Sequence, residues 1–137
     1  SCAILGIDSI PVAVEVDASA AINSKVIIVG LPDTAVKESS ERVLAAVKNS
    51  GFRPPRGHTV VNLAPADIRK EGSALDLPIA LGMIAATDQL RGTLIPDYAI
   101  AGELALNGSV RPVAGALSMA IGARKSGLKG IVLPAAR

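Results

Sequence analysis

The stretch VNLAPADIRKEGSALDLPIA, Val61 to Ala80, constrains the fold of this chain more than any other. A strand-like apolar run (Val60, Val61, Asn62, Leu63) stops at Pro65. A charged turn of Asp67, Arg69, Lys70, Glu71 and Gly72 follows, and a long apolar helical pattern begins near Asp76. Strand, polar turn and helix N-terminus in succession call for sheet packed against helix. The same arrangement gathers backbone N–H groups and charges where a ligand or a nucleophile can be held, and it serves equally well as a tight connection.

The remaining segments read as further strands and helices. Residues 2 to 7 and 11 to 17 form two strands joined by a turn at Asp8, Ser9, Ile10 and Pro11. Val12, Val14 and Val16 alternate with Ala13, Glu15 and Asp17, giving one buried and one wet face. Lys25 to Val29 is a continuous apolar run, which predicts a strand covered on both faces. Asp33 is the expected N-cap of a helix in which Val36, Val43, Leu44 and Val47 recur at helical spacing. Lys37, Glu38, Glu41, Arg42 and Lys48 face outward, and Gly51 ends the helix. The loop Phe52 to Gly57 carries Arg53 and Arg56 on a proline-rich path, and His58 to Leu63 is the next strand. A second helix runs from about Asp76 to Leu90, with Pro78 tolerated in its first turn. Tyr98 to Val113 reads as a hairpin around a type I′ turn at Asn107 and Gly108. A small-residue helix from Ala114 to Ser126, capped by Gly127, precedes a last strand, Gly130 to Leu133. The expected class is a single α/β (α+β) domain over residues 1–137, with a mixed sheet and helices mainly on one face.

Composition removes several functions. The aromatic set is Phe52 and Tyr98 alone, too few rings for a platform on which nucleic-acid bases stack. The net charge of +2 does not mark a dedicated nucleic-acid domain, although it permits a local basic face. Cys2 is the only cysteine and His58 the only histidine, so there is no disulfide framework or Cys-rich zinc site. No run reaches the ~18 apolar residues of a membrane span. The first residues lack signal-peptide order, so a cytoplasmic chain with no membrane partner is expected. The chain starts at Ser1 without Met and stops at Arg137 just after a strand-like run, and a fragment of a longer protein is expected. Neither G-x-x-x-x-G-K-[ST] nor a G-x-G-x-x-G between strand and helix is present, so no nucleotide cofactor is expected here. Asp67, Asp76 and Glu103 lack a spacing that brings them together on a metal, and Asp76 reads as a helix N-cap. No metal site is expected.

Two levels of resemblance emerge. AGELALNGSVRPVAGALSMAIGARKSGLKGIVLP, residues 101 to 134, resembles the end of the Lon protease catalytic domain. GLPDTAVKESSERVLAAVKNSG and VNLAPADIRKEGSALDLPIAL look closer to the N-terminal domain of the magnesium-chelatase-like AAA+ proteins of the ComM and YifB type. The resemblance implies a ribosomal protein S-five domain 2-like fold, as in the Lon proteolytic domain. Lon proteases use a Ser-Lys dyad. Matching Lys70, Glu71 and Gly72 to the Lon turn puts Ala74 at the serine position, and matching Pro112 and Gly115 puts Leu117 at the lysine position. Neither side chain has a nucleophilic oxygen or a titratable amine. Ser73 with Lys70 is a shifted alternative without evident burial to lower the lysine pKa.

By resemblance the chain is a non-catalytic accessory domain of an AAA+ ATPase whose missing module holds ATP and Mg. The implied whole is a homo-hexameric ring, expected to act as a DNA helicase or motor in recombination or natural transformation. Within it the domain either helps ring assembly, through surfaces such as Ala114 to Ala123, or touches DNA itself. The candidate DNA contacts are Arg53, Arg56, Arg69, Lys70, Arg111, Arg124, Lys125 and Lys129. Gly72, Ser73, Asp76, Asn107 and Gly108 are candidate structural turn residues. Ser-Lys peptidase activity is the remote alternative.

Overall fold

A computed structural model describes residues 2–8, 10–70, 72–89, 98–113, 115–125 and 127–134. Of the expected features, Ser9, Glu71 and the helix ends at Leu90, Ala114 and Ser126 lie outside the described residues. The elements in chain order are β1 (Cys2–Asp8), β2 (Ile10–Ser19), β3 (Lys25–Val29), α1 (Thr34–Asn49), β4 (His58–Ala64), α2 (Asp76–Ala86), β5 (Tyr98–Ile100), β6 (Glu103–Leu104), β7 (Val110–Arg111), α3 (Ala116–Lys125) and β8 (Gly130–Val132). Six strands form one sheet in the order β3-β4-β2-β1-β5-β8, and β6 with β7 makes a separate two-stranded sheet. Within the large sheet β2 alone runs against the others. It pairs antiparallel with β1 and β4, whereas β3–β4, β1–β5 and β5–β8 are parallel. The expected mixed-sheet α+β class is what the chain adopts.

Side chains on a strand alternate between its faces, and this decides where the helices lie. Val12, Val14 and Val16 of β2 and Val61 and Leu63 of β4 point to one side, where they pack with Val36, Val43 and Val47 of α1 and Ile79 and Met83 of α2. Burying each such side chain contributes about 1.5–3 kcal/mol. A Cβ added at Gly82 of α2 would lie 2.5 Å from Val16 Cγ2, so the small residue sets how closely helix and sheet approach. On the other side Met119 and Ala123 of α3 pack with Ala99, Ala101 and Ile131. Two of the three helices share one face, as the pattern predicts.

Three local expectations change. Lys25–Val29 is not covered on both faces; it is the end strand of the sheet, with Ile27 and Val29 exposed. Helix α1 covers only one of its sides. The segment Tyr98 to Val113 is split, because β5 joins the large sheet while only Glu103–Leu104 pairs back with Val110–Arg111. Gly102 makes the break: its N–H donates to Ala74 O at 2.9 Å and its carbonyl accepts from Leu77 N at 3.0 Å, tying it to the start of α2. The hairpin turn is also not type I′. Gly108 N–H donates to Ala105 O and Ala105 N–H to Ser109 O, each at 2.9 Å, and of the central pair only Gly108 has positive φ, at 93°. That is the three-residue loop in which a glycine in the left-handed region closes the turn. Asn107 Oδ1 accepts from Ser109 N at 3.0 Å instead of shaping a positive-φ pair.

Candidate functional site

Beyond β3 and β4 two turns interlock. Gly30 leaves β3 with φ of 110°, and a Cβ there would stand 2.0 Å from Leu63 O, so no other residue fits. Leu31 follows with φ of 56°. The chain then runs beside the second turn: Lys70 N donates to Leu31 O and Asp33 N to Lys70 O, both at 2.9 Å. Asp33 caps α1 as expected, accepting from Val36 N at 2.8 Å through Oδ1. Its other oxygen accepts from Gly72 N at 3.1 Å. One carboxylate therefore starts a helix and holds the far turn.

Lys70 ties the same turns from inside. It is 1% exposed, and its Nζ donates to Gly30 O at 2.7 Å and to Pro65 O. Desolvation lowers its pKa from the ordinary value, with Asp67 acting in the opposite direction. This overturns Lys70 as a DNA contact: the ammonium is buried on backbone carbonyls and cannot reach a phosphate. The burial that the shifted Ser73–Lys70 pair lacked in the sequence is therefore present, while the hydrogen bonds of the Nζ run to Gly30 O and Pro65 O.

The second buried feature joins α1 to α2. Asp76 is 0% exposed, and its carboxylate accepts from Ser39 Oγ at 2.6 Å, Arg42 Nε at 2.7 Å, Arg42 Nη2 at 3.1 Å and Leu104 N at 3.1 Å. Hydrogen bonding to Asp76 raises the Arg42 pKa, while desolvation opposes it. Arg42 also reaches Ala35 O at 2.9 Å. Two expectations fall here. Asp76 is not a cap: Leu75 holds the cap position of α2 without a side-chain bond, and the Asp76 carboxylate is turned onto α1. Arg42 does not lie on a solvated face, because the fork of its guanidinium fits that carboxylate. Sequence reasoning missed Ser39 and Arg42. The available signal was Ser39, a polar residue on the apolar stripe of α1 between Val36 and Val43.

The other candidates separate. Gly72 holds φ of 78° in the turn, and Ser73 O accepts from Asp76 N at 3.1 Å. Arg53, Arg56, Arg69, Arg111, Arg124, Lys125 and Lys129 are all exposed. The loops carrying Arg53 and Arg56 and then Lys129 lead into β4 and β8, which run the same way, so these cations share one end of the sheet. Arg124 and Lys125 end α3 just before Lys129. Arg69 follows β4 and sits at the opposite end. Among the described residues no group of three His, Cys, Asp or Glu side chains is placed to hold a metal ion, and no helix is long and apolar enough to cross a membrane. Ala74 is 7% exposed in an aliphatic cluster with Ala99, Ala101, Met119 and Ala123, whereas Leu117 is 77% exposed.

The features define an α+β domain whose two turn-bearing segments are clasped together by buried charge. The model of the family described as subunit ChlI of Mg-chelatase matches residues 14–137, and the chain belongs to that family. It is 47% identical to the uncharacterized protein YifB of Escherichia coli K12 over 130 residues, 95% of this chain and 26% of that protein. It is 46% identical to the competence protein ComM of Haemophilus influenzae over 99 residues, 72% of this chain and 19% of that protein. Lon protease 2 of Bacillus subtilis is 29% identical over 98 residues, 72% of this chain and 17% of that protein. The chain thus spans about a quarter of the length of the first curated relatives it matches. GLPDTAVKESSERVLAAVKNSG and VNLAPADIRKEGSALDLPIAL, on which the resemblance rests, are the two segments that Asp33, Lys70 and Asp76 fasten to each other.

Proposed function

We propose that this chain is a non-catalytic accessory domain of an AAA+ ATPase of the magnesium-chelatase-like family. In this reading it supports assembly of a homo-hexameric ring that acts on DNA, with ATP and Mg held in a separate module. The observation that carries it is the pair of residues at the Lon dyad positions: Ala74 is enclosed by aliphatic side chains and Leu117 points to solvent. The relative ComM is named a competence protein, which supports a role in natural transformation. The buried clasp supports a rigid scaffold, because its charged groups are occupied within the fold.

A second reading, direct contact with the DNA backbone, draws on the exposed cations Arg53, Arg56, Arg124, Lys125 and Lys129. Fluorescence anisotropy with labelled single-stranded and forked DNA separates the two. Phosphate contacts weaken steeply with added salt as counterions compete. Salt-sensitive binding favours the contact reading; absence of binding at low and moderate salt favours assembly.

A further inference from the structure

We propose that the free edge of β3, together with the flank of α1 beside it, is a docking groove for an extended polypeptide segment of a partner that carries a carboxylate at the end lying beyond Val29. The edge supplies the pairing surface. Among the described residues β3 pairs only with β4, and it stands last in the strand order. Lys25 N donates to Gly57 O at 2.9 Å, toward β4. Bonding residues alternate along a parallel strand, so Ile27 and Val29 also bond inward, and Val26 and Ile28 present N–H and C=O outward. A row of unpaired main-chain groups is matched by another extended chain. The strand has neither proline nor bulge to discourage pairing, and Lys25 is its only charged residue.

Helix α1 packs beside β3, and a pocket lies past each end of the strand. At the start of β3 a pocket of about 190 Å³ is lined by Lys25, Val26, Glu41 and Leu44 together with Pro55 and Gly57 ahead of β4, so it lies on the inner side of the strand and takes no part in the groove. Leu31 and Pro32, just past β3, line another of about 410 Å³ with Lys37 of α1 and Arg69. Lys37, Glu41 and Leu44 lie four and three residues apart, on one face of α1. The second pocket combines two apolar walls with two cationic side chains, which fits a carboxylate and disfavours an ammonium. Lys25–Val29 covers about 16 Å at about 3.3 Å per residue, so it pairs with five residues of an extended segment, and a sixth, at the end beyond Val29, meets the pocket. Antiparallel pairing is the more stable arrangement and puts the segment's acidic residue at its N-terminal end. This assignment stands apart from the accessory-domain reading, and either can fail without the other.

The probe is acetyl-Glu-Val-Thr-Val-Thr-Val labelled at its C-terminus and titrated by anisotropy with the 137-residue chain up to about 1 mM, the range of weak peptide affinity. We expect saturable binding, weakened about threefold when lysine replaces the glutamate. N-methylation of the two amides that face β3 should weaken it at least about tenfold, because two backbone bonds are lost. Lys37→Glu, at an exposed position that leaves the fold intact, should abolish the preference between the acidic and basic probes, since Arg69 then faces one negative charge. No saturation, equal binding by the N-methylated probe, or an unchanged charge preference in Lys37→Glu would each overturn the proposal.

Discussion

At the residue scale, Asp76 has the largest energetic consequence. Its carboxylate accepts four hydrogen bonds from α1 and β6 while wholly enclosed. Asp76→Ala leaves the Arg42 guanidinium and Ser39 facing an empty site, and removing one member of a buried pair costs about 3–5 kcal/mol. Loss of a helix cap alone would cost about 1 kcal/mol. Urea denaturation distinguishes the two, and a loss near the smaller figure would return Asp76 to a capping role. Lys70 adds a pH dependence. Burial lowers its pKa, so the folded chain gives up this proton at a lower pH than the unfolded chain, whose ordinary value is 10.5. Between the two values the unfolded state binds more protons, and stability rises with pH. Below that window the cost of burying the ammonium is fully present. Lys70→Met should abolish this alkaline rise; unfolding midpoints that climb equally in both chains would reject the assignment. Asp33 was legible as a cap because its partner Val36 is three residues away. The Asp76 partners Ser39 and Arg42 belong to another helix, and neither spacing nor periodicity reports that distance.

At the element scale, the clasp depends on how β3 ends. Gly30→Ala meets both a left-handed backbone and a carbonyl oxygen 2.0 Å from the new Cβ, so the turn must rearrange. Gly72→Ala meets the backbone strain alone, since nothing lies within 4 Å of its added Cβ. We expect about 1 kcal/mol for Gly72→Ala and at least about 3 kcal/mol for Gly30→Ala. Thermal melts of the two variants test this, and equal shifts would show that the contact with Leu63 is relaxed without cost. The helix α1 and strands β2 and β4 were readable because each carries its own periodicity. The division of Tyr98 to Leu104 into β5 and β6 was not. It results from Gly102 bonding to Ala74 and Leu77, residues more than twenty positions earlier. The edge position of β3 was hidden for a similar reason: an apolar run records hydrophobicity but not which neighbours cover it.

At the scale of the whole molecule, the exposed cations occupy two ends of the sheet, and this gives the DNA reading a directional test. If that reading holds, Arg53→Gln with Arg56→Gln should reduce the salt dependence of single-strand binding by about 0.7 per lost phosphate contact. Arg69→Gln, at the other end, should leave the slope unchanged. Equal effects at both ends would remove the proposed orientation. The sheet also joins distant parts of the chain. β1 pairs with β2 across a tight connection, but its other edge pairs with β5, where Gly6 meets Ile100. During synthesis β1, β2 and β4 can assemble while one side of β1 still waits for a strand nearly a hundred residues behind it. Closing that loop carries an entropic cost before any contact rewards it. The middle of the finished sheet is therefore among the last parts to be completed, and until Tyr98–Ile100 emerges the N-terminal strand is the growing chain's open seam.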